Sequence, residues 1–273
     1  MTVAGLPMYD LPELHPATNA WWSGLARALR REGIKDVPDR LTREQFTETV
    51  WQRPDLLLSQ ICGYNRIDKW RERLTYVATP CYTAPGCHGP QYRSLIIVPA
   101  NAPAWTLEDL RGSRCAINGY ASHSGCNALR ATFAPLARDG RFFRSVTVSG
   151  SHVMSLASLE SGETDVAAID CIIYALLVRY RPRIADNTRV VAQTLAAAVG
   201  PYITRGGTSD DLIARLRNGL TQAMHDPDLA EARAELLLGG FEVIADEDYE
   251  RIRQIKAETV RLGYQDFDRK MMT

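Results

Sequence analysis

One short segment combines hydroxyl, imidazole and glycine in a way that could bind an anion. Ser122-His123-Ser124-Gly125 stands between a predicted strand and a predicted helix. The first turn of a helix has N–H groups without intrahelical partners and a partial positive charge, so it attracts anions. The two hydroxyls would add donors, and Gly125 would let a ligand approach the backbone closely. The alternative is that Ser122 or Ser124 only caps the helix.

Two further segments place polar groups after predicted strands. Gly150-Ser151-His152 again runs from a strand into a helix, with Ser151 as a natural cap and His152 in the first turn. In an open α/β sheet this carboxyl edge is where ligands bind, although a lone histidine is more often structural. Asp170 follows a third strand, where it can cap the next helix, bind a ligand amine, or do both.

Strand-like and helix-like stretches alternate along the whole chain and would position these groups. Such alternation predicts an α/β protein with sheets covered on both faces by helices. Residues 18–32 carry apolar side chains on one helical face, and Gly33 follows as a stop. The other predicted helices cover 60–70, 106–111, 125–136 and 151–160 and begin again at 170, and the predicted strands cover 55–59, 74–78, 94–98, 114–118, 145–148, 165–169 and 189–192.

The order of these elements predicts two lobes, each a mostly parallel sheet flanked by helices, with a ligand cleft between them. Lobe 1 is expected to be discontinuous and to consist of residues 1–88 and 193–273. Residues 89–192 would form lobe 2, inserted into lobe 1 and carrying the anion-binding loop.

Two neighbouring crossovers would connect these lobes. They are expected near 86–92 and 190–195, and such paired connections behave as a hinge. The strand at 189–192 would lead back to lobe 1, which residues 199–273 would complete with two amphipathic helices.

Composition limits the classes of partner. The 32 basic and 32 acidic side chains leave no net charge, so neither nucleic acid nor an anionic membrane is an expected partner. No run approaches the roughly 18 apolar residues that a membrane span needs, so no membrane insertion is expected. Residues 1–20 lack the features of a secretory signal. With Met1 as the native start this predicts a cytoplasmic protein, whereas a trimmed mature form would be periplasmic.

Six cysteines without a CxxC pair do not form the pattern of a disulfide scaffold, and most are expected to be small buried hydrophobic residues. Cys81 and Cys87 flank a turn-rich segment in which they could form a disulfide, or in which Cys87 and His88 could bind a metal. The sequence predicts no cofactor and no metal, and a monomeric protein.

Residues 92–170 resemble the second lobe of the phosphate, phosphite and phosphonate substrate-binding proteins of ABC transporters. This is the PhnD-like branch of the type 2 periplasmic-binding fold. The resemblance implies that Tyr92, Ser122, Ser124 and His152 face the ligand, while Asp170 matches less closely. The segments that carry it are Tyr92–Val98, Thr106–Arg114, Ser122–Gly125, Gly150–His152 and Gly162–Asp170.

The flanking halves resemble this family only in outline. Leu58–Tyr64 occupies the place of a ligand-facing turn, which adds Gln60 and Tyr64 as candidates together with Tyr9. His123 stands where the family usually has threonine. An imidazole therefore replaces a hydroxyl donor, and this imidazole would become cationic at mild acidity.

The resemblance implies a protein that reversibly binds a small anionic or zwitterionic ligand by closure of the lobes and delivers it to an ABC transporter permease. A phosphonate, phosphate ester or phosphite is expected, and a zwitterion if Asp170 faces the ligand. One alternative is a cytoplasmic ligand sensor on the same fold. Another is an enzyme with His123 or His152 as general base or Cys126 as nucleophile, its pKa lowered at a helix start. No protease, hydrolase or nucleotide-binding motif in the sequence supports an enzyme.

Overall fold

The protein divides into two compact units, each built from separate parts of the chain. The computed structural model describes residues 2–44, 46–264 and 267. Unit 1 comprises Met1–Thr83, His88–Pro90 and Ala198–Ala245, and unit 2 comprises Ala84–Cys87, Gln91–Ala197 and Asp246–Thr273. Part of the segment that the sequence assigned to lobe 1, residues 265, 266 and 268–273, lies outside the described residues, as do Met1 and Gln45.

Strands and helices alternate through the described residues. The strands are β1 Val3–Gly5, β2 Leu56–Gln60, β3 Leu74–Tyr82, β4 Gln91–Tyr92, β5 Ser94–Pro99, β6 Arg114–Ile117, β7 Ser145–Val148, β8 Val166–Asp170, β9 Thr188–Gln193, β10 Ala197–Ala198, β11 Tyr202–Arg205 and β12 Leu238–Glu242. The α-helices are α1 His15–Arg31, α2 Thr47–Trp51, α3 Gly63–Asp68, α4 Ala128–Phe133, α5 His152–Glu160, α6 Cys171–Tyr180, α7 Arg183–Asn187, α8 Asp210–His225, α9 Ala230–Glu235 and α10 Asp246–Arg261. No helix among the described residues is both long and apolar enough to cross a membrane.

Unit 1 contains a five-stranded sheet with the order β1-β2-β11-β3-β12. Helix α1 forms because apolar side chains recur on one face, and Trp21, Trp22 and Leu25 are fully buried there. Helix α8 packs on α1 at close range, since a Cβ at Gly219 would collide with the Leu29 side chain. The sheet and these helices make unit 1 a packed α/β layer structure.

Unit 2 contains a second five-stranded sheet with the order β7-β6-β8-β5-β9. Strand β6 is parallel to both β7 and β8, so the carboxyl ends of these three strands lie at one edge. Phe133, Phe142 and Phe143 pack against one another with ring centroids 4.7–5.1 Å apart in the core of this unit. This core fixes the strands whose ends carry the candidate site.

Both sheets are mixed, whereas the sequence predicted mostly parallel ones. In unit 1 only β1 and β2 pair in parallel among the described strands, because β11 lies antiparallel between β2 and β3. In unit 2, β5 runs antiparallel to both of its neighbours, β8 and β9. Each sheet therefore includes strands that run against the parallel set.

One helix belongs to a different unit from the one that the sequence assigned. Strand β9 pairs with β5 in the sheet of unit 2, with Ile96 opposite Ala192, and so lies within the segment predicted to form lobe 2. Helix α10 was expected in lobe 1, but it packs on α4 in unit 2. The Arg130 guanidinium also donates to the Tyr264 carbonyl oxygen at 2.7 Å. These long-range contacts decide the unit, and local sequence does not encode them.

Candidate functional site

The candidate site of unit 2 is built on the loops that follow β6, β7 and β8. These loops lie at the carboxyl ends of neighbouring parallel strands, the usual location of ligand sites in α/β sheets. The loop after β6 carries Ser122 to Gly125, the loop after β7 carries Ser151 and His152, and Asp170 ends β8. The topology therefore brings the three predicted segments to one sheet edge.

The Ser122–Gly125 segment opens a helix with a wider first turn than the sequence predicted. Ser122 is the N-cap, and its hydroxyl oxygen accepts the N–H of Gly125 at 3.1 Å. The next residues form a π-helical turn over His123–Asn127, in which the N–H of Asn127 donates to the Ser122 carbonyl at 3.1 Å. Such turns are frequent at functional sites. The capping interpretation is therefore correct for Ser122.

Ser124 and His152 form the polar contact that joins the first two loops. Ser124 Oγ lies 2.9 Å from His152 Nε2, and the Asn118 amide nitrogen lies 3.5 Å from the same ring nitrogen. Burial lowers the pKa of His152 to about 4, although the Ala168 backbone partly opposes this shift. The imidazole is therefore neutral at pH 7 and acts as a hydrogen-bonding group rather than as a charge.

Gly125 is required by packing within the protein. A Cβ at this position would collide with the Asn118 side chain and would lie 3.1 Å from His152 Cε1. The sequence attributed this glycine to close approach of a ligand. The structure supplies a different reason, because a larger residue would separate the two loops that Ser124 and His152 join.

His123 is buried and is not the cation that the sequence predicted at mild acidity. Its side chain is only 2% exposed, and burial lowers its pKa to about 4. Its ring centroid lies 6.3 Å from that of Tyr92, which is itself 5% exposed. His123 thus adds a neutral ring beside Tyr92, and the expectation that it becomes cationic at mild acidity is wrong.

Ser151 and Asp170 both cap helices. Ser151 Oγ accepts the N–H of Met154 at 3.1 Å at the start of α5. Asp170 Oδ1 accepts the N–H of Ile172 at 2.8 Å at the start of α6, and its side chain is 4% exposed. The capping predictions are confirmed, and a contact of either residue with ligand stays a prediction.

Unit 1 holds the other three predicted site residues, and two of them share a cavity. Tyr9 and Gln60 line a cavity of about 30 Å³, in which the Tyr9 ring stands edge-on to Tyr82 at 5.1 Å. Gln60 donates to the Gly200 carbonyl at 2.9 Å. Tyr64 is buried on α3 and is not among the residues that line this cavity. A cavity of this volume has room for a water molecule or a methyl group.

Sequence reasoning missed two residues that support the site. Asn118 comes directly after β6 and contacts His152. Ser149 comes directly after β7, and its hydroxyl lies 3.1 Å from the Ile117 carbonyl and 2.7 Å from the hydroxyl of Ser155. A polar residue at the carboxyl end of a predicted strand is the signal that could have identified both.

The cysteines do not supply the chemistry that the sequence considered. Burial raises the pKa of Cys126 to about 12, opposed only in part by Arg130 and Lys256, so the expected lowering at a helix start is wrong. Cys81 contacts the Glu242 carboxylate at 3.5 Å instead of Cys87. No group of three His, Cys, Asp or Glu side chains within the described part of the chain could hold a metal.

A sequence family matches well over half of the chain. Residues 72–249 match the family described as "ABC transporter, phosphonate, periplasmic substrate-binding protein". No curated protein matches the chain in sequence.

Solved structures similar to this chain include several binding proteins. A binding-protein component of an ABC phosphonate transporter from Pseudomonas aeruginosa has a TM-score of 0.76 and 15% identity, covering 98% of this chain and 89% of its own. PhnD1 from Prochlorococcus marinus in complex with methylphosphonate has a TM-score of 0.75 and 14% identity, covering 95% and 98%. XAC2383 from Xanthomonas citri bound to ATP has a TM-score of 0.69 and 16% identity, covering 96% and 97%. These similarities confirm the predicted two-lobed type 2 periplasmic-binding fold.

Proposed function

Because this chain belongs to the family of periplasmic phosphonate-binding proteins of ABC transporters, we propose that unit 2 binds the head group of a small phosphonate at the Ser122–Gly125 turn. The observation that carries the proposal is the contact of 2.9 Å between Ser124 Oγ and His152 Nε2 at the start of this helix. It joins two loops into one polar surface at the carboxyl edge of the sheet.

The donors for the anion come from the backbone and from neutral side chains. The N–H groups of His123 and Ser124 begin the helix, where helical geometry supplies no acceptor and the dipole favours negative charge. The hydroxyls of Ser122 and Ser124 add two donors to phosphonate oxygens. Hydrogen bonds to an ionised acceptor are stronger than neutral ones, so each of these donors would bind a phosphonate oxygen strongly.

His152 would orient the Ser124 hydroxyl. When Nε2 carries the ring proton it donates to Ser124 Oγ, which leaves the serine proton directed toward the ligand. A neutral imidazole can do this across the physiological range because its pKa is lowered to about 4. The Asn118 amide nitrogen lies 3.5 Å from the same ring nitrogen, and since both are donors in this tautomer the approach is a packing contact and not a hydrogen bond.

The proposed ligand does not require an amine. Asp170 is the acidic candidate for binding one, and its Oδ1 already accepts the N–H of Ile172 as the cap of α6. Ethylphosphonate and 2-aminoethylphosphonate differ only by this amine, so comparing their affinities tests whether the site binds it. We expect comparable affinities, and a strong preference for the aminated ligand would assign Asp170 to ligand binding.

The test is calorimetric titration of purified protein with methylphosphonate, phosphite, phosphate, methanesulfonate and acetate. Ser122→Ala combined with Ser124→Ala should weaken phosphonate binding by about 1–3 kcal/mol per lost bond, which is roughly tenfold for every 1.4 kcal/mol. Ser145→Ala is the matched control, since this exposed serine begins β7 at the opposite end of the strand. Unchanged affinity in the double variant would remove the proposed site.

The family is periplasmic, and we extend the proposal to location and partner. The protein would act outside the cytoplasm and deliver its ligand to an ABC permease. Fractionation of the native gene product, with alkaline phosphatase activity of a fusion as readout, tests the location. Recovery only from the cytoplasm would favour a ligand sensor on the same fold instead.

A further inference from the structure

Two cysteines of unit 2 that lie far apart in sequence meet in the fold. Cys87 Sγ lies 3.6 Å from Cys171 Sγ, although 84 positions separate them along the chain. All six cysteines are thiols in the structure. A disulfide needs the two sulfurs to move closer by about 1.5 Å, which side-chain rotation can supply.

The backbone holds both thiols in place. Cys87 ends a tight turn in which its N–H donates to the Ala84 carbonyl at 3.0 Å. Gly86 in this turn has a φ of +101°, and a Cβ there would lie 3.1 Å from Cys171 Cβ. Glycine is therefore needed both for the backbone conformation and for the approach to Cys171. On the other side, the Cys171 N–H donates to the Arg93 carbonyl at 3.1 Å.

The two thiols differ in accessibility in a way that suits stepwise oxidation. Cys171 is 1% exposed, whereas Cys87 is only partly buried. An oxidant can therefore reach Cys87 first, and the Cys171 thiol lies close enough to react with Cys87 in a second step. Burial raises the pKa of Cys81 and of Cys126 to about 12, which leaves these two less able to compete.

We propose that Cys87 and Cys171 are a redox modification site that closes to a disulfide on exposure to a disulfide oxidant. The Cys87 thiolate attacks the oxidant's disulfide and expels one thiolate, which forms a mixed disulfide. The Cys171 thiolate then attacks Cys87 Sγ and expels the second thiolate. The two cysteine protons pass to the two leaving thiolates, so one oxidant disulfide is reduced for each protein disulfide formed.

The bond would tie together two segments that carry candidate site residues. Cys87 lies in the turn that precedes Tyr92, and Cys171 directly follows Asp170. Closing a loop of this length restricts the unfolded chain, so oxidation should raise the melting temperature by about 5 °C or more. The site is independent of the proposed ligand, and an oxidising compartment would favour the closed form.

The experiment treats the whole purified protein with oxidised glutathione, removes the oxidant, and alkylates the remaining thiols under denaturing conditions. Intact mass counts the alkylated cysteines. Trypsin would leave Cys81 and Cys87 on one peptide, since no lysine or arginine lies between them. A protease that cleaves after aromatic residues is used instead, because it cuts at Tyr82 and places the two cysteines on different peptides. Cys87→Ser removes the accessible thiol. Cys62→Ser is the matched control, since Cys62 has similar partial exposure in unit 1.

Wild-type protein and the Cys62→Ser variant are each expected to lose two alkylatable thiols and to yield one linked peptide pair that contains Cys87 and Cys171. Cys87→Ser should give no internal link and no rise in melting temperature on oxidation, while its reduced form melts close to the reduced wild type. Six alkylated thiols in oxidised wild-type protein, or a link between Cys81 and Cys87, would overturn the proposal.

Discussion

The protein should lose stability as the pH falls from 7 to 5, because unit 2 contains two imidazoles that desolvation keeps neutral, with His123 buried and His152 partly buried. Burial lowers the pKa of His123 and of His152 from 6.5 to about 4. In the unfolded chain both residues would titrate near 6.5, so the unfolded state binds protons that the folded state excludes. Their contribution is fully present above pH 6.5 and is lost as the pH falls toward 4.

The magnitude follows from the two pKa values of each histidine. With 6.5 in the unfolded chain and about 4 in the folded protein, linkage predicts a loss of about 2 kcal/mol per histidine between pH 7 and pH 5. Both together amount to about 4 kcal/mol, a large part of a typical total stability of roughly 5–15 kcal/mol. The hydrogen bond from Arg114 lowers the pKa of Asp165 below 3.8, so this carboxyl group stays ionised between pH 7 and pH 5 and adds nothing to the loss of stability in that range.

The assay is urea unfolding at pH 7 and pH 5, with the difference in unfolding free energy compared within each protein. His123→Gln and His152→Gln should each show about half of the wild-type pH dependence, because glutamine cannot take up a proton. His225→Gln is the matched control and should retain all of it, since His225 is exposed on α8. A His152→Gln variant with the full wild-type pH dependence would refute the reasoning for this residue.

Other perturbations test packing around the site and in the core of unit 2. Gly125→Ala should weaken phosphonate binding at least tenfold in calorimetry, because the new Cβ collides with the Asn118 side chain. Gly119→Ala is the control in the same loop. Its new Cβ meets no atom within 4 Å, so this variant should bind phosphonate normally. Phe133→Ala should lower the unfolding free energy by about 3–5 kcal/mol in urea titrations, since its ring packs in an aromatic cluster and is fully buried. Arg114→Ala should leave the unfolding free energy in the same assay close to that of the wild type, because its ion pair with Asp165 is one-third or more exposed on both sides. A clear loss of stability would mean that the pair is more than a surface contact.

The local pattern of apolar and polar residues was sufficient to predict most helices and strands. It was not sufficient to assign every one of them to the correct unit. The apolar stripe of residues 18–32 predicts α1, which the structure has at His15–Arg31. Strands β6, β7 and β8 likewise stand within a residue or two of their predicted bounds. The unit to which α10 belongs depends on its packing with α4, and this was the assignment that the sequence pattern missed. Such contacts join distant parts of the chain and leave no periodic signal in either partner.

The candidate site was predictable as a set of loops and caps but not as an electrostatic environment. Ser151 and Asp170 could be recognised as caps because their residue types satisfy orphan N–H groups at helix starts. The neutrality of His123 could not be recognised, because desolvation depends on the atoms that cover the ring in the folded protein. The π-helical turn could not be predicted either, because the wider turn requires no particular residue type that the sequence would reveal.

The neutrality of the two histidines accounts for how this polar cluster remains stable before an anion arrives. A protonated imidazole at His152 would be a partly desolvated charge, and such a charge is more costly than a neutral donor at the same place. The helix start instead supplies a partial positive potential that is present whether or not a ligand is bound. Ser124 needs only orientation, which the neutral ring provides at 2.9 Å. An anion that enters would therefore form charge-assisted bonds with groups already in place, without paying to discharge or reorganise a cation.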